Sequence, residues 1–448
     1  LVVALSAVVS GRSAWLLLGV TGMAYSTGAS AVWSVVGYTV VEFFLFFFYA
    51  RRLRRFADVH DVVTLPDFFA ARFGDRDGWL RLALAGVILI FMVSYVSSQF
   101  AGGGKAIGAS FGLSAGAGVI LTAAIVLGYT MVGGFLAVSL TDTLQAFLMI
   151  LGLVVLPLVA ISSAGGWGAV GRELGLLDPT LIEPLSLGFG AFLGLVGIGL
   201  GSPGSPHILV RYLSIDDAEQ LRWAAVVGTV WNVVMGAGAV LVGLAGRVYF
   251  PTVEMLPAAD TENLYPVLAQ QQLHPFLFGV IVASIFAAIM STADSQLLVA
   301  ASTVVRDWYE KVRRRGEALP DRTLVLYSRL VVVALVGAAL LLGMAAENLV
   351  FWLVLFAWAG LGAALGPTSI LALYWRGTTR AGVFAGLAVG TVTTIVWYSV
   401  PALKSRLYEL IPAFGLSLIA TWLVSLATAR PDGVDEMFHL MEGEETRP

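Results

Sequence analysis

Cysteine is absent, which excludes disulfides, thiolate nucleophiles and thiolate metal ligands. Charge is scarce: Asp, Glu, Lys and Arg make up 12% of 448 residues, about half the share of a soluble domain. The net charge of −3 offers nucleic acid no basic surface. Four histidines, His60, His207, His274 and His439, are scattered without metal-ligand spacing. The sequence also lacks a Walker-type glycine loop, paired carboxylates on one face and a nucleophile beside a base. These absences exclude a soluble enzyme and a nucleic-acid binder, rank a membrane enzyme last, and imply no cofactor. Work done by such a chain must draw on an ion gradient.

What is present is apolar sequence, 58% of the chain, in long runs between short charged loops. A helix needs about 20 residues to cross the hydrocarbon of a bilayer. Twelve runs qualify, at roughly 1–23, 29–50, 79–111, 115–134, 138–163, 188–212, 221–247, 275–305, 322–345, 348–375, 380–402 and 406–428. They are too long and too uniformly apolar for barrel strands. The chain is expected to be an all-α polytopic membrane protein with a lipid bilayer as its solvent. Residues 1–428 form the membrane domain, and 429–448 an acidic tail expected to be disordered. Leu1 lies inside an apolar run, so the sequence reads as lacking its true N-terminus rather than as opening with a signal peptide. Arg51, Arg52, Arg54 and Arg55, then Lys311, Arg313, Arg314 and Arg315, then Arg376 and Arg380 fall on one side of this count. That side is expected to be cytoplasmic, with the C-terminus on it.

Two spans carry interruptions. "VVSGRSAW" puts Gly11 and Arg12 about 17 Å into the first run at 1.5 Å per residue. "GLGSPGSPHIL" puts Pro203 and Pro206 among Gly199, Gly201 and Gly204 in the sixth. Proline removes a helix hydrogen bond and glycine weakens the helix. Freed backbone survives at membrane depth only where it lines a protein cavity. Either break alone could be a kink. Breaks five spans apart point to an inverted-repeat transporter with its site between them, and fit a gated site better than a channel.

The eighth run supplies chemistry. Ser284, Ala288, Ser291, Thr292 and Ser295 recur at helical spacing and share one face. Hydroxyl oxygens suit a hard cation such as sodium, although a single Ser would merely bond its own helix. Asp294 lies at the end of this stripe. Asp142, with Gln145 one turn on, opens the fifth run, where it could cap the helix or face a pathway. Intramembrane acids and an intramembrane arginine demand partners.

"AAIMSTADSQLLVAAS", "GGFLAVSLTDTLQAFLM", "VTLPDFFAARF", "PHILVRYL", "FAWAGLGAALGP" and "ALSA" followed by "SAWLLLG" resemble signature stretches of the sodium:solute symporter family, most closely its sodium/proline symporters. The likeness runs from Ala4 to about residue 425. It implies two inverted five-helix repeats, spans one to five and six to ten, with one further helix before residue 1. It implies symport of a small organic solute, an amino acid such as proline or a related carboxylate, with sodium as the coupling ion, in a bacterial or archaeal cell membrane. Its main sodium site maps to the carbonyls of Val9, Arg12 and Ala288 and the hydroxyls of Ser291 and Thr292. A second cation site maps to Asp142, Asp294 and Ser295. Substrate contacts map to Arg12, Tyr129, Ile198, Ser202 and Pro206.

The departures concern the solute. Sodium/proline symporters resemble "SASDMSGW" where this chain has "VVSGRSAW", so an acid gives way to Gly11 and a neutral residue to Arg12. Aromatics around their sixth-helix break give way to Ile198, Ser202 and Pro203. Relative to them the chain gains Arg12 and Asp294 in facing elements, and an Arg12–Asp294 pair is the expected compensation. A substrate carboxylate and snorkelling are the other partners open to Arg12. Proton coupling through Asp142 or Asp294, and a sensor retaining a transporter-like domain, are the alternative functions.

Overall fold

The computed structural model describes residues 2–132, 135–215, 217–345 and 350–442. Helix makes up 86% of the chain, and no strand occurs among the described residues. Each of the twelve expected spans coincides with helix. Nine helices among the described residues are long and apolar enough to cross a membrane, and a pair bent by 52°, Phe189–Gly204 with Pro206–Leu213, makes a tenth. The protein is an all-α integral membrane protein with an inverted-repeat transporter core.

The first span is broken where expected. Val2–Ser10 ends in a turn at Gly11 and Arg12, and helix resumes with Ser13 at a φ of 49°. A non-glycine residue keeps that left-handed conformation only where its surroundings impose it. The chain then runs helically to Thr27 and reverses at Gly28, whose φ is 67°. A Cβ there would also stand 2.2 Å from the Leu181 carbonyl oxygen, so only glycine fits. The second span returns along the first. Arg12 meets Glu42, Trp15 meets Tyr38, and Val8 and Phe46 both pack on Gly228. Gly37 lets the second span approach the sixth: a Cβ there would lie 2.1 Å from the Val196 carbonyl oxygen.

The first span is the buried axis. Residues 4–10 are all buried, packed by the fifth span (Phe135–Ser163), the seventh (Leu221–Tyr249) and the eighth (Pro275–Ser302). Hydrogen bonds sort the loops onto two sides. Arg54 reaches the Ile215 carbonyl, Thr64 reaches Asp307, and Arg380 pairs with Asp75. On the other side Tyr25 donates to the Phe250 carbonyl, Trp33 to the Pro184 carbonyl, and Lys105 pairs with Asp260 and Glu262. The basic loops 51–55, 306–315 and 376–380 thus share one face, as the twelve-span count requires.

Two expectations are corrected. Helix continues past the apolar runs, to His60 in the second span and Arg313 in the eighth. Arginine ends hydrophobicity but is itself a good helix former, so the helix outlasts the run. The tail is not disordered over its described part: Val434–Glu442 is helical and buries Val434, Phe438 and Met441 at helical spacing. Its acids pair with the basic face, Asp435 with Arg376 at 3.2 Å and Glu442 with Arg52 at 3.3 Å. Acidic composition masked this short apolar stripe. Residues 443–448 of the expected tail lie outside the described residues.

Candidate functional site

The break in the first span abuts the polar stripe of the eighth. Thr292 Oγ1 donates to the Ser10 carbonyl oxygen at 3.0 Å, and Ser291 Oγ to the Ala288 carbonyl oxygen at 3.1 Å. Both hydroxyl residues are fully buried. At the turn the Val9 carbonyl accepts the Arg12 amide at 3.0 Å and the Arg12 carbonyl accepts the Leu16 amide at 3.0 Å. The Thr292 hydroxyl and the Ser10 carbonyl meet here with Ser291 one residue away, oxygen donors of the kind a hard cation takes. The bridge between the two helices falls on Ser10, which sequence reasoning passed over. Ser284, the first residue of the stripe, instead shares a hydrogen bond with Tyr265 at 3.2 Å.

Arg12 does not pair with Asp294. Its Nη2 bonds Glu42 Oε1, and its Cζ lies 3.9 Å from the centre of the Tyr38 ring. Glu42 also accepts from Ser202 Oγ at 3.1 Å and from Asn232 Nδ2 at 2.8 Å. The hairpin about Gly28 brings position 12 opposite position 42, so the cation meets an acid of its own hairpin. Glu42 carried a legible signal, a single acid inside an apolar run.

The residues expected to form a second cation site are brought together, but around an arginine. Arg211 Nη2 donates to Asp142 Oδ2 at 3.0 Å and to Ser295 Oγ at 2.5 Å. Its Nε donates to Ser6 Oγ at 2.8 Å, and Ser6 Oγ donates to Asp142 Oδ2 at 2.6 Å. Asp142 and Ser295 come together as expected, joined by a guanidinium nitrogen. Asp294 Oδ1 accepts the Ser295 amide at 2.6 Å. Asp142 Oδ1 and Asp294 Oδ2 are buried without hydrogen-bond partners. Two acids here face one arginine. Arg211 sits near a span end, where a basic residue is ordinarily a snorkelling anchor, so sequence reasoning did not single it out.

The residues expected to touch solute divide into two groups. Arg12 and Ser202 belong to the Glu42 network, and the Ile198 carbonyl, in the same sixth-span break, accepts Trp358 Nε1 at 2.7 Å. Tyr129 instead bonds Thr141, the neighbour of Asp142. Pro206 lines a cavity of about 670 Å³ that opens among Val62, Thr64 and Arg306 on the basic face and reaches Arg211 and Ser295. A second cavity, about 360 Å³, opens among Thr261, Lys404 and Glu409 on the opposite face and reaches Ile198. Neither cavity is lined by Arg12 or Glu42.

A profile of the sodium:solute symporter family matches residues 1–390. A sodium/proline symporter of Staphylococcus aureus is 38% identical over 439 residues, covering 96% of this chain and 86% of the relative. Among solved structures, a Na+-coupled sialic acid symporter in a substrate-bound outward-open state superposes with a TM-score of 0.77 at 18% identity, over 96% of this chain and 90% of that one. Mhp1, a nucleobase-cation-symport-1 family transporter in a closed conformation with bromovinylhydantoin bound, gives 0.57 at 15% identity, over 98% and 95%. The last two bear on fold; the profile and the relative settle kinship, and the chain belongs to the sodium:solute symporter family.

Proposed function

We propose that the solute carried is a small amino acid, related to the proline of the Staphylococcus aureus relative, moved with one sodium ion per solute. Sodium-coupled symport itself follows from family membership. The observation that carries the rest is the Thr292–Ser10 bridge, which places the stripe's hydroxyls against the first-span break. Sodium takes Ser291 and Thr292 hydroxyls with carbonyls of Val9, Ser10, Arg12 and Ala288, replacing the Thr292–Ser10 bond. The ion then ties the two helices where a hydrogen bond tied them before.

The single-sodium stoichiometry rests on Arg211. Its guanidinium stands where Asp142 and Ser295 would share a second ion. One acid is left over, and it supplies the counter-charge for the sodium at Ser291 and Thr292. Solute and ion enter from the cavity lined by Glu409 and leave through the one lined by Arg306. The excess of arginine in its loops supports reading the basic face, and the helical tail with it, as cytoplasmic.

The test is uptake of a labelled amino-acid panel into proteoliposomes with and without an inward sodium gradient. Expected are uptake that collapses without the gradient and a sodium Hill coefficient near one. A coefficient near two would restore a second sodium site and show that Arg211 does not take the place of that ion. Proton-driven uptake without sodium would favour the unpartnered Asp294 oxygen as the coupling group.

A further inference from the structure

Arg12 and Glu42 are charged groups that sodium binding at Ser291 and Thr292 does not use. Their pairing is electrically neutral but uneven in hydrogen bonds. The Glu42 carboxylate accepts from Arg12, Ser202 and Asn232. A guanidinium has five N–H donors in a rigid fork. That of Arg12 bonds Glu42 through Nη2 and lies over the Tyr38 ring, which takes no donor, while its Nε has no partner. Three further polar atoms in these side chains and their neighbours are buried without partners: Asn232 Oδ1, the Tyr38 hydroxyl and Trp15 Nε1. Such groups are rare in a settled core.

The pair lies close to the entry route. Phe351 lines the cavity of the face opposite the basic loops. Trp15 stacks on Phe351 at 6.0 Å between ring centres, and Tyr38 meets Trp15 edge-on at 5.9 Å. Three rings in series, Phe351, Trp15 and Tyr38, therefore run from the cavity wall to the Arg12 guanidinium. On its other side the pair is fixed to the sixth-span break through Ser202.

We propose that the Arg12–Glu42 pair reads the charge of the solute and selects a net-neutral zwitterion over a carboxylate without an amine. The proposal rests on the symport reading above and names its substrate class. The solute carboxylate takes the spare donors of Arg12, a fork suited to two oxygens. The ammonium goes to Glu42 and displaces the Ser202 hydroxyl, so solute binding releases the sixth-span break. The charge count enforces the choice. With Asp142 and Asp294 both ionised, they and Arg211 together carry one surplus negative charge, which the bound sodium balances. Arg12 with Glu42 is already neutral. A zwitterion keeps it so, whereas a lone carboxylate or a lone amine would bury an uncompensated charge.

The experiment is competition against sodium-driven uptake in proteoliposomes of the full chain. The competitors are the transported amino acid, its deaminated acid and its decarboxylated amine, all with one carbon frame. In the unaltered protein the amino acid should inhibit at concentrations at least about 100-fold lower than either partial analogue, a threshold below the roughly 10⁴-fold discrimination that a site built for polar groups reaches. Glu42→Gln should move the acid toward or past the amino acid by about tenfold, since Arg12 is then unbalanced. Arg12→Gln should favour the amine in the same way. If a single variant fails to reach the membrane, Arg12→Gln with Glu42→Gln decides: neutral again, it should be stabilised by sodium against heat but lose discrimination. The inference alone is overturned if the acid competes as well as the amino acid in the unaltered protein, or if Glu42→Gln or the double variant discriminates as the unaltered protein does. Absence of any sodium-driven uptake overturns the symport reading and this inference with it.

Discussion

The molecule buries two arginine centres, and they are built differently. Around Arg12 one cation meets one acid, Glu42, and neither of the two cavities described is lined by either residue. Around Arg211 one cation pairs with Asp142 and bonds Ser295, whose amide donates to a second buried acid, Asp294, and the cavity of the basic face reaches Arg211 and Ser295. Burying an ion pair gains little, because desolvation offsets the attraction, but breaking one leaves a stranded charge. A balanced, sealed centre is suited to a ligand that is itself balanced. A centre with a surplus acid, open on one side, is suited to a cation that comes and goes. Two uses of the same guanidinium chemistry are separated by one unit of charge.

The largest expected effect comes from removing the cation of the unbalanced centre. Arg211→Gln leaves Asp142 and Asp294 facing each other, and a stranded buried charge costs about 3–5 kcal/mol. Most of the folded protein should be lost, measured as monodisperse protein recovered in detergent. Asp142→Asn in the same chain should restore part of it. Arg12→Gln with Glu42→Gln removes a whole pair and should be tolerated far better. Equal losses in the two cases would erase the distinction between the centres.

Next is the sodium site that lies beside the unbalanced centre. Ser291→Ala with Thr292→Ala removes two of the oxygens offered to the ion. Half-saturation by sodium should rise at least about tenfold, equivalent to about 1.4 kcal/mol, with surface expression kept. Unchanged sodium dependence would move the ion away from the eighth span. Asp294→Asn should act in the same direction but less, about threefold to tenfold, because it removes charge near the ion rather than a ligand named for it. A gain in sodium affinity would show that the surplus acid is not the counter-charge.

Much of this was legible in sequence, and the gaps have physical causes. Run length and arginine placement give the spans because hydrocarbon thickness and charge leave little freedom. The hydroxyl stripe is visible because helical spacing repeats over three turns, and both breaks are visible because glycine and proline leave their own mark. Partners are the hidden part. Arg12 and Asp294 lie in facing elements, which does not say which acid stands nearer. Folding the sequence on Gly28 would have set position 12 against 42. Arg211 was not singled out, because a basic residue at a span end is ordinarily a membrane-surface anchor, and only packing shows it turned inward to Asp142. The helix at Val434–Glu442 was lost for a related reason: a composition of acids and small residues averages away a stripe of three apolar side chains.

The smallest effect tests whether burial is what separates these centres from ordinary ion pairs. Asp435 pairs with Arg376 at 3.2 Å and Arg430 at 2.6 Å on the exposed basic face. Exposed pairs contribute about 0–1 kcal/mol and are screened by salt. Asp435→Asn should therefore leave thermal stability within about 1 kcal/mol of the unaltered protein. It should raise protease cleavage between residues 427 and 433 only modestly, because Val434, Phe438 and Met441 still hold the helix down. Choline chloride, which supplies ionic strength without sodium, should reproduce that increase in the unaltered protein. Buried pairs are screened far less than exposed ones, so the Arg12 and Arg211 centres should respond to choline in neither stability nor sodium affinity. A choline effect on sodium affinity as large as that of Asp294→Asn would mean that solvent ions reach the Arg211 centre freely, and the contrast between buried and exposed pairs would fail there.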